Sequence, residues 1–382
     1  MKLEGGFTSA TSEKFLRKLA EAELDDDLLV PTNARHAYVG GEASIIQLII
    51  TWALSKKKPR LLIHANAGTD LELSTFIGRA HGIVSAFSCD IAKTYDGNID
   101  VTQRLRSLAR TRQQQLSDPN SPYGMRGLIS ESYCVDHEEL HDPRLYIGTE
   151  FDVYLRSEAE LAATIPLRII EPAIPDKYKT IFSSVDISEL GALAYELFKN
   201  TDEHARKSWD GIILEKSIRG IFSRNHLVSP ETLENKVTKE TAFGRYLSKL
   251  KPEKNSSKVR FLEISIFDSG PGYAQCLRKK PTTDMTLAEE FLAVSDCFKK
   301  NISSKNDPNY GKGLPTVANI LNRHNGFLKL RTGRLSLCIS PDKQASLNAV
   351  PRLVDSIGSE RPVPRSPVNG TLVTLIVPLI KS

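Results

Sequence analysis

Two kinds of hydrophobic spacing alternate along the first third of the chain. Residues 1–27 are mostly polar with a few apolar anchors (Phe15, Leu16, Leu19), which predicts a helical arm. The run SIIQLIITWAL (44–54) is apolar almost throughout; it is too short to span a bilayer and predicts a buried helix. Around it, short apolar stretches at ARHAYVG (34–40), RLLIHA (60–65) and IVSAFS (83–88) predict strands. EASIIQLIITWALSKK and DLELSTFIGRAHG predict the helices between them. Strands alternating with helices imply an α/β layer with parallel pairing. Residues 103–121 read as a basic helix ending at Asp-Pro-Asn, and the proline-bearing stretch 156–180 as a linker to a second domain.

The second half opens on an amphipathic helix over 186–209, capped by Asp186 or Ser188, with Leu190, Leu193, Ala194, Leu197 and Phe198 on its core face. Strands are expected at 216–225 and 259–268, separated by a polar insert that is long for a hairpin loop. A helix over 314–324, an Asn-Gly turn, a strand at 327–331 and a last strand at 370–379 complete the pattern. The expected fold class is α/β: a smaller α/β regulatory or interaction domain over 1–165, whose fold-level analogues include STAS-like and receiver-like modules, then a second domain over 166–382.

Bulk composition changes this picture little. A net charge of +5, with 40% hydrophobic and 25% charged residues, fits a soluble globular chain. That charge permits an acidic partner, but no dense basic stripe interleaved with aromatics points to nucleic acid. Arg104, Arg106, Arg110 and Arg112 spread around a helix as a solvated face would. Five scattered cysteines (Cys89, Cys134, Cys276, Cys297, Cys338) suggest reduced thiols. With an N-terminus that lacks the apolar core of a signal peptide, the expectation is a cytoplasmic protein without a membrane anchor. CVDHEELH (134–141) offers Cys134, His137 and His141, a spacing that reads better as solvated loop residues than as a zinc site, which ordinarily needs four ligands.

Three motifs carry candidate chemistry. ELFKN places Glu196 and Asn200 four residues apart, on one helix face. IFDSGPGYA ends a strand with Asp268, Gly270 and Gly272, and GKGL (Gly311, Lys312, Gly313, Leu314) precedes a helix. An Asn oxygen can ligate Mg²⁺, and a carboxylate one turn away can orient or deprotonate a water. A carboxylate at a strand end can accept from an exocyclic amine such as that of adenine, glycines let backbone approach a planar ring, and N–H groups at a helix start favour an anion.

Taken in this order, the motifs resemble the GHKL superfamily, the ATPase domain shared by gyrase, Hsp90, MutL and histidine kinases. Glu196 and Asn200 match its N box, Asp268-x-Gly270-x-Gly272 its first glycine box, and Gly311 to Leu314 its second. Asn369-Gly370-Thr371 is similar to the closing Gly-Thr element, and Ser303-Ser304-Lys305 to the Ser/Thr-Thr-Lys that ends many family lids. The resemblance covers residues 181–382 and implies a Bergerat-type two-layer α/β sandwich with a mixed sheet, a lid over 273–310, and ATP with Mg²⁺ as ligands. It further implies Glu196 as general base, Asn200 as the Mg²⁺ ligand, Asp268 as the adenine reader, and Lys305 and Thr371 near the phosphates. Lys312 and Pro315 depart from the commoner family pattern. The implied activity is ATP hydrolysis whose lid movement regulates a partner protein or a homodimer. A histidine-kinase or anti-sigma-type protein kinase and a non-hydrolysing ATP sensor stand as alternatives.

Overall fold

The computed structural model describes residues 2–3, 7–21, 27–32, 39–65, 68–96, 98–118, 129–148, 152–179, 183–229, 241–252, 257–299, 313–341 and 352–379. In chain order the first elements are α1 (Ser9–Ala20), β1 (Asp27–Val30), α2 (Gly41–Leu54), β2 (Arg60–Ile63), α3 (Asp70–Ile77), α4 (Ala80–Ser88), β3 (Ile91–Thr94) and α5 (Thr102–Ser117). Strands β1, β2 and β3 form a small parallel sheet in that order. Next come β4 (Ile129–Val135), the hairpin β5 (Tyr146–Gly148) and β6 (Val153–Leu155), α6 (Glu158–Ile165), α7 (Asp176–Lys179) and the long α8 (Ser184–His204). The remainder is β7 (Ile218–Val228), α9 (Ala242–Leu247), β8 (Val259–Asp268), α10 (Tyr273–Arg278), α11 (Leu287–Cys297), α12 (Gly313–Arg323), β9 (Phe327–Gly333), β10 (Leu335–Ile339), β11 (Val354–Asp355) and β12 (Val368–Pro378).

One seven-stranded sheet, ordered β11-β10-β9-β12-β8-β7-β4, organises the molecule. Its central strands β8 and β12 are buried along almost their whole length, polar positions such as Glu263 and Ser265 included, because both faces are covered. On one face Leu190, Leu193, Leu197 and Phe198 of α8 meet Ile264, Ile266, Leu328, Leu330 and Val373 of the strands, joined by Val317 and Leu321 of α12. On the other face Phe222, Phe267, Val368 and Leu372 share a core with α2, α4 and the small parallel sheet. Helix α2 lies inside this second layer, and Glu42, Ala43 and every residue from Ile45 to Ala53 are buried. An apolar helix without a polar side is what such a position selects. Hydrogen bonds fix α2 to the sheet: Gly40 N–H donates to Glu263 Oε2 (2.9 Å), Gln47 Nε2 to the Arg331 carbonyl (3.0 Å) and Asn369 N–H to Thr51 Oγ1 (3.1 Å). No helix among the described residues is long and apolar enough to cross a membrane.

Several expectations need correcting. The sheet is antiparallel at every pairing rather than mixed. It also has helices on both faces rather than forming a two-layer sandwich. The boundary expected at 165/166 is not a boundary, because β4 pairs along its whole length with β7. The stretch expected as a linker is packed helix and turn over residues 156–179, with Leu161, Ile165, Ile169 and Ile170 buried beside α8. IVSAFS belongs to α4; burial all round erases the period that separates a helix from a buried strand. The strand expected at 34–40 lies almost wholly outside the described residues. Helix α8 starts earlier than expected: Ser183 is the N-cap, and Asp186 at N3 returns the bond as a capping box. Beyond β9 the chain turns at Gly333 into β10, a hairpin that the spacing did not suggest.

Candidate functional site

Strand β8 delivers Asp268 to its end, at the level where α8 approaches its own C-terminus. The carboxylate is buried (7% exposed), and its Oδ1 accepts from Gly270 N–H (2.8 Å) and Thr371 N–H (3.2 Å). Among the described residues nothing donates to Oδ2. Burial pushes the carboxyl up to about 7, against the pull of the two N–H groups and of Arg219, its register partner on β7. A buried carboxyl with one oxygen committed to backbone and one uncommitted can, when ionised, accept a further hydrogen bond through the uncommitted oxygen.

The cavity beside it is lined by Asn200, Thr201, Asp268, Gly272, Tyr273 and Thr371, among others, so three of the motif positions converge with the closing Thr. It holds about 30 Å³, enough for a water or two as the side chains stand. Tyr273, the first residue of α10, lies against Asp268 and stacks edge-on against Phe298, its phenol held well above its ordinary range by burial and the neighbouring carboxyl. Glu196 sits one helical turn before Asn200, half-buried, outside the cavity lining. Burial raises its carboxyl above the ordinary range although Lys199 opposes the shift.

The two glycines of the DSGPG turn answer to protein neighbours. A Cβ on Gly270 would lie 2.5 Å from Ala205 Cα, at the C-cap of α8, so only glycine lets the helix end meet the turn. Gly272 has φ +85°, and a Cβ there would meet Thr332 Oγ1 at 2.5 Å. The expectation that both glycines make room for a ring is thus replaced, at Gly270, by close helix packing. Gly270→Ala should cost about 1–3 kcal/mol in a urea titration, as overpacking against backbone does. An unchanged midpoint would show that the contact is slack.

Gly313 and Leu314 begin α12, as expected of a glycine turn before a helix, whereas Lys305, Gly311 and Lys312 lie outside the described residues. Behind the site stands a charged cluster that motif spacing missed. Arg219, fully buried, pairs with Asp136 and with Asp202 of α8 (3.1 Å) and donates to Tyr146 Oη (2.9 Å). Despite its burial, Asp136 is held well below the usual carboxylate range by His141 and Arg219. His141 is spent on Asp136 and His137 on the Phe87 carbonyl, while Cys134 is buried at the end of β4, so CVDHEELH is a packed strand end and turn rather than the solvated loop expected. An arginine inside the apolar run SIRGIF was the available signal. No protein-family model, curated protein or solved structure matches the chain.

Proposed function

We propose that this protein is a GHKL-type ATPase that binds Mg·ATP between α8 and the β8–β12 strand ends. The observation that carries this reading is the uncommitted Oδ2 of buried Asp268 in a cavity that Asn200 and Thr371 also line. Asp268 would accept the adenine amine, and Asn200 would hold Mg²⁺ through its side-chain oxygen. The ion would screen the phosphate charge. Glu196, whose burial favours proton uptake, would take the proton of the attacking water. Sheet order supports the reading less than the site does, since the antiparallel sheet departs from the mixed sheet that the resemblance implies. The cavity would have to widen for a nucleobase, and α10, which starts with Tyr273, is the element whose displacement opens it. We further propose that this displacement, with that of α11, signals nucleotide state to a partner protein or a second copy.

Incubation with γ-labelled ATP and Mg²⁺ should release free phosphate. In Glu196→Ala that release should fall at least ~100-fold while calorimetric ATP affinity stays within about threefold, as loss of a general base predicts. Parental turnover in the variant would remove Glu196 from the chemistry. Label retained on protein would instead mark a kinase, and tight binding without release a nucleotide sensor.

A further inference from the structure

A far larger cavity lies on the opposite face of the sheet, between α1, strand β9 and the segment 356–366; it encloses about 520 Å³. Small-molecule sites occupy this range of sizes, from about 300 to 1,000 Å³. Nothing in the proposed ATPase chemistry uses this cavity.

Its charge is strongly one-sided. Lys14 and Arg17 stand one helical turn apart on α1 and face the opening, and neither forms an ion pair among the described residues. Lys329 reaches the cavity from the back face of β9. Its ammonium donates to Ser9 Oγ (3.0 Å) and lies 5.4 Å from the Phe243 ring centroid, with no carboxylate within ion-pairing distance among the described residues. Arg365 adds a fourth cation, tied to Asp355 at 3.2 Å. The one carboxylate in the lining, Glu13, is already committed to Arg331 (2.7 Å).

The other walls have two characters. Val39, Phe243, Ile357 and Pro364 are apolar, while Ser336, Ser356 and Ser366 bring hydroxyls. A lysine held in a half-buried position, with burial depressing its ammonium, costs free energy that an anionic ligand would recover. Three cationic groups without carboxylate partners, beside an aromatic ring, match a dianion attached to an apolar body.

We propose that this cavity is a second ligand site, separate from the nucleotide site, for a small phosphomonoester with an aromatic or similarly apolar body. Lys329 would bind the phosphate at the cavity floor, Lys14 and Arg17 would close over it from α1, and the Phe243 side would receive the apolar part.

The test uses the full chain and 1-naphthyl phosphate as probe, with 1-naphthol and inorganic phosphate alongside it, followed by calorimetry. Naphthyl phosphate should bind at least ~10-fold more tightly than either fragment, because both halves of the cavity are then used. Lys329→Met should weaken it at least ~10-fold, roughly the loss of one charge-assisted contact. The double variant Lys14→Ala, Arg17→Ala alters only exposed helix positions and should weaken it similarly, which covers the case in which Lys329→Met misfolds. The titrations contain neither nucleotide nor Mg²⁺, so their outcome does not depend on the nucleotide reading. No binding of naphthyl phosphate would overturn the proposal. So would equal affinity in the α1 double variant, or binding of naphthol as tight as that of its phosphate.

Discussion

Asp268→Asn should make the empty protein more stable at pH 8 while removing its affinity for nucleotide. The stability half follows from linkage. Burial raises the folded-state carboxyl from 3.8 to about 7, so between those values the folded protein holds a proton that the unfolded chain has lost. Stability from this group is therefore present at low pH, declines as pH rises through that interval, and stays low above about 7. Asparagine carries no charge to desolvate and can keep its oxygen on Gly270 and Thr371 N–H. Its NH₂ then faces the cavity, which returns part of the gain as an unsatisfied donor. A net gain of about 1–2 kcal/mol at pH 8, shrinking towards zero or below at pH 5, is expected from the charge term less that cost. The binding half follows from the same geometry. With the amide NH₂ turned to the cavity, an adenine amine would meet a donor instead of an acceptor, and ATP affinity should fall at least ~100-fold, about 2.7 kcal/mol. Thermal melting at both pH values and calorimetry with Mg·ATP measure the two halves. A melting point lowered equally at pH 5 and pH 8 would contradict the buried-charge account, and retained ATP affinity would dismiss Asp268 as the base reader.

Residues 181–382 expressed alone, the span of the motif resemblance, should fail to fold. In the intact chain Phe222, Phe267, Val368 and Leu372 are buried against the layer that holds α2 and α4. Exposing four such side chains costs on the order of 6–12 kcal/mol, comparable to the whole stability of a domain. Without β4, strand β7 would become a long open edge. Arg219 would be left in the sheet without Asp136 and Tyr146, and Glu263 would lose the Gly40 N–H. Circular dichroism and gel filtration decide the matter. A soluble monomer with a cooperative melt would show that the back layer is dispensable.

The elements that were legible in the residues are those with a one-sided pattern. Helix α8 shows its core through Leu190, Leu193, Leu197 and Phe198, and β8 ends where the apolar run meets Asp-Ser-Gly-Pro-Gly. The convergence of Asn200, Asp268, Gly272 and Thr371 was also readable, because motif order supplied what spacing alone could not. Illegible were the features that depend on a partner distant in sequence. Strand β4 reads as any short buried run, and only β7 decides that it joins the larger sheet. Helix α4, buried on all sides, carries no period. The Arg219 cluster gathers residues 136, 146, 202 and 219, none of which announces the others locally. The hairpin of β9 and β10 turns at Gly333 with φ +51°, and its Arg-Thr-Gly-Arg sequence lacks the Asn-Gly or Asp-Gly signature of a tight turn.

Strand β12 lies between β9 and β8 and is hydrogen-bonded to both. As the ribosome extends the chain, β4, β7 and β8 can assemble on one side and β9 and β10 on the other, but each half then shows a bare inner edge. Only when residues 368–378 leave the exit tunnel can the two halves be joined, with Thr371 reaching Asp268 in the same event. From the emergence of β9 and β10 until that moment the nascent protein carries two half-sheets with bare inner edges. A holding chaperone that masks them until β12 arrives should raise the yield of native chain.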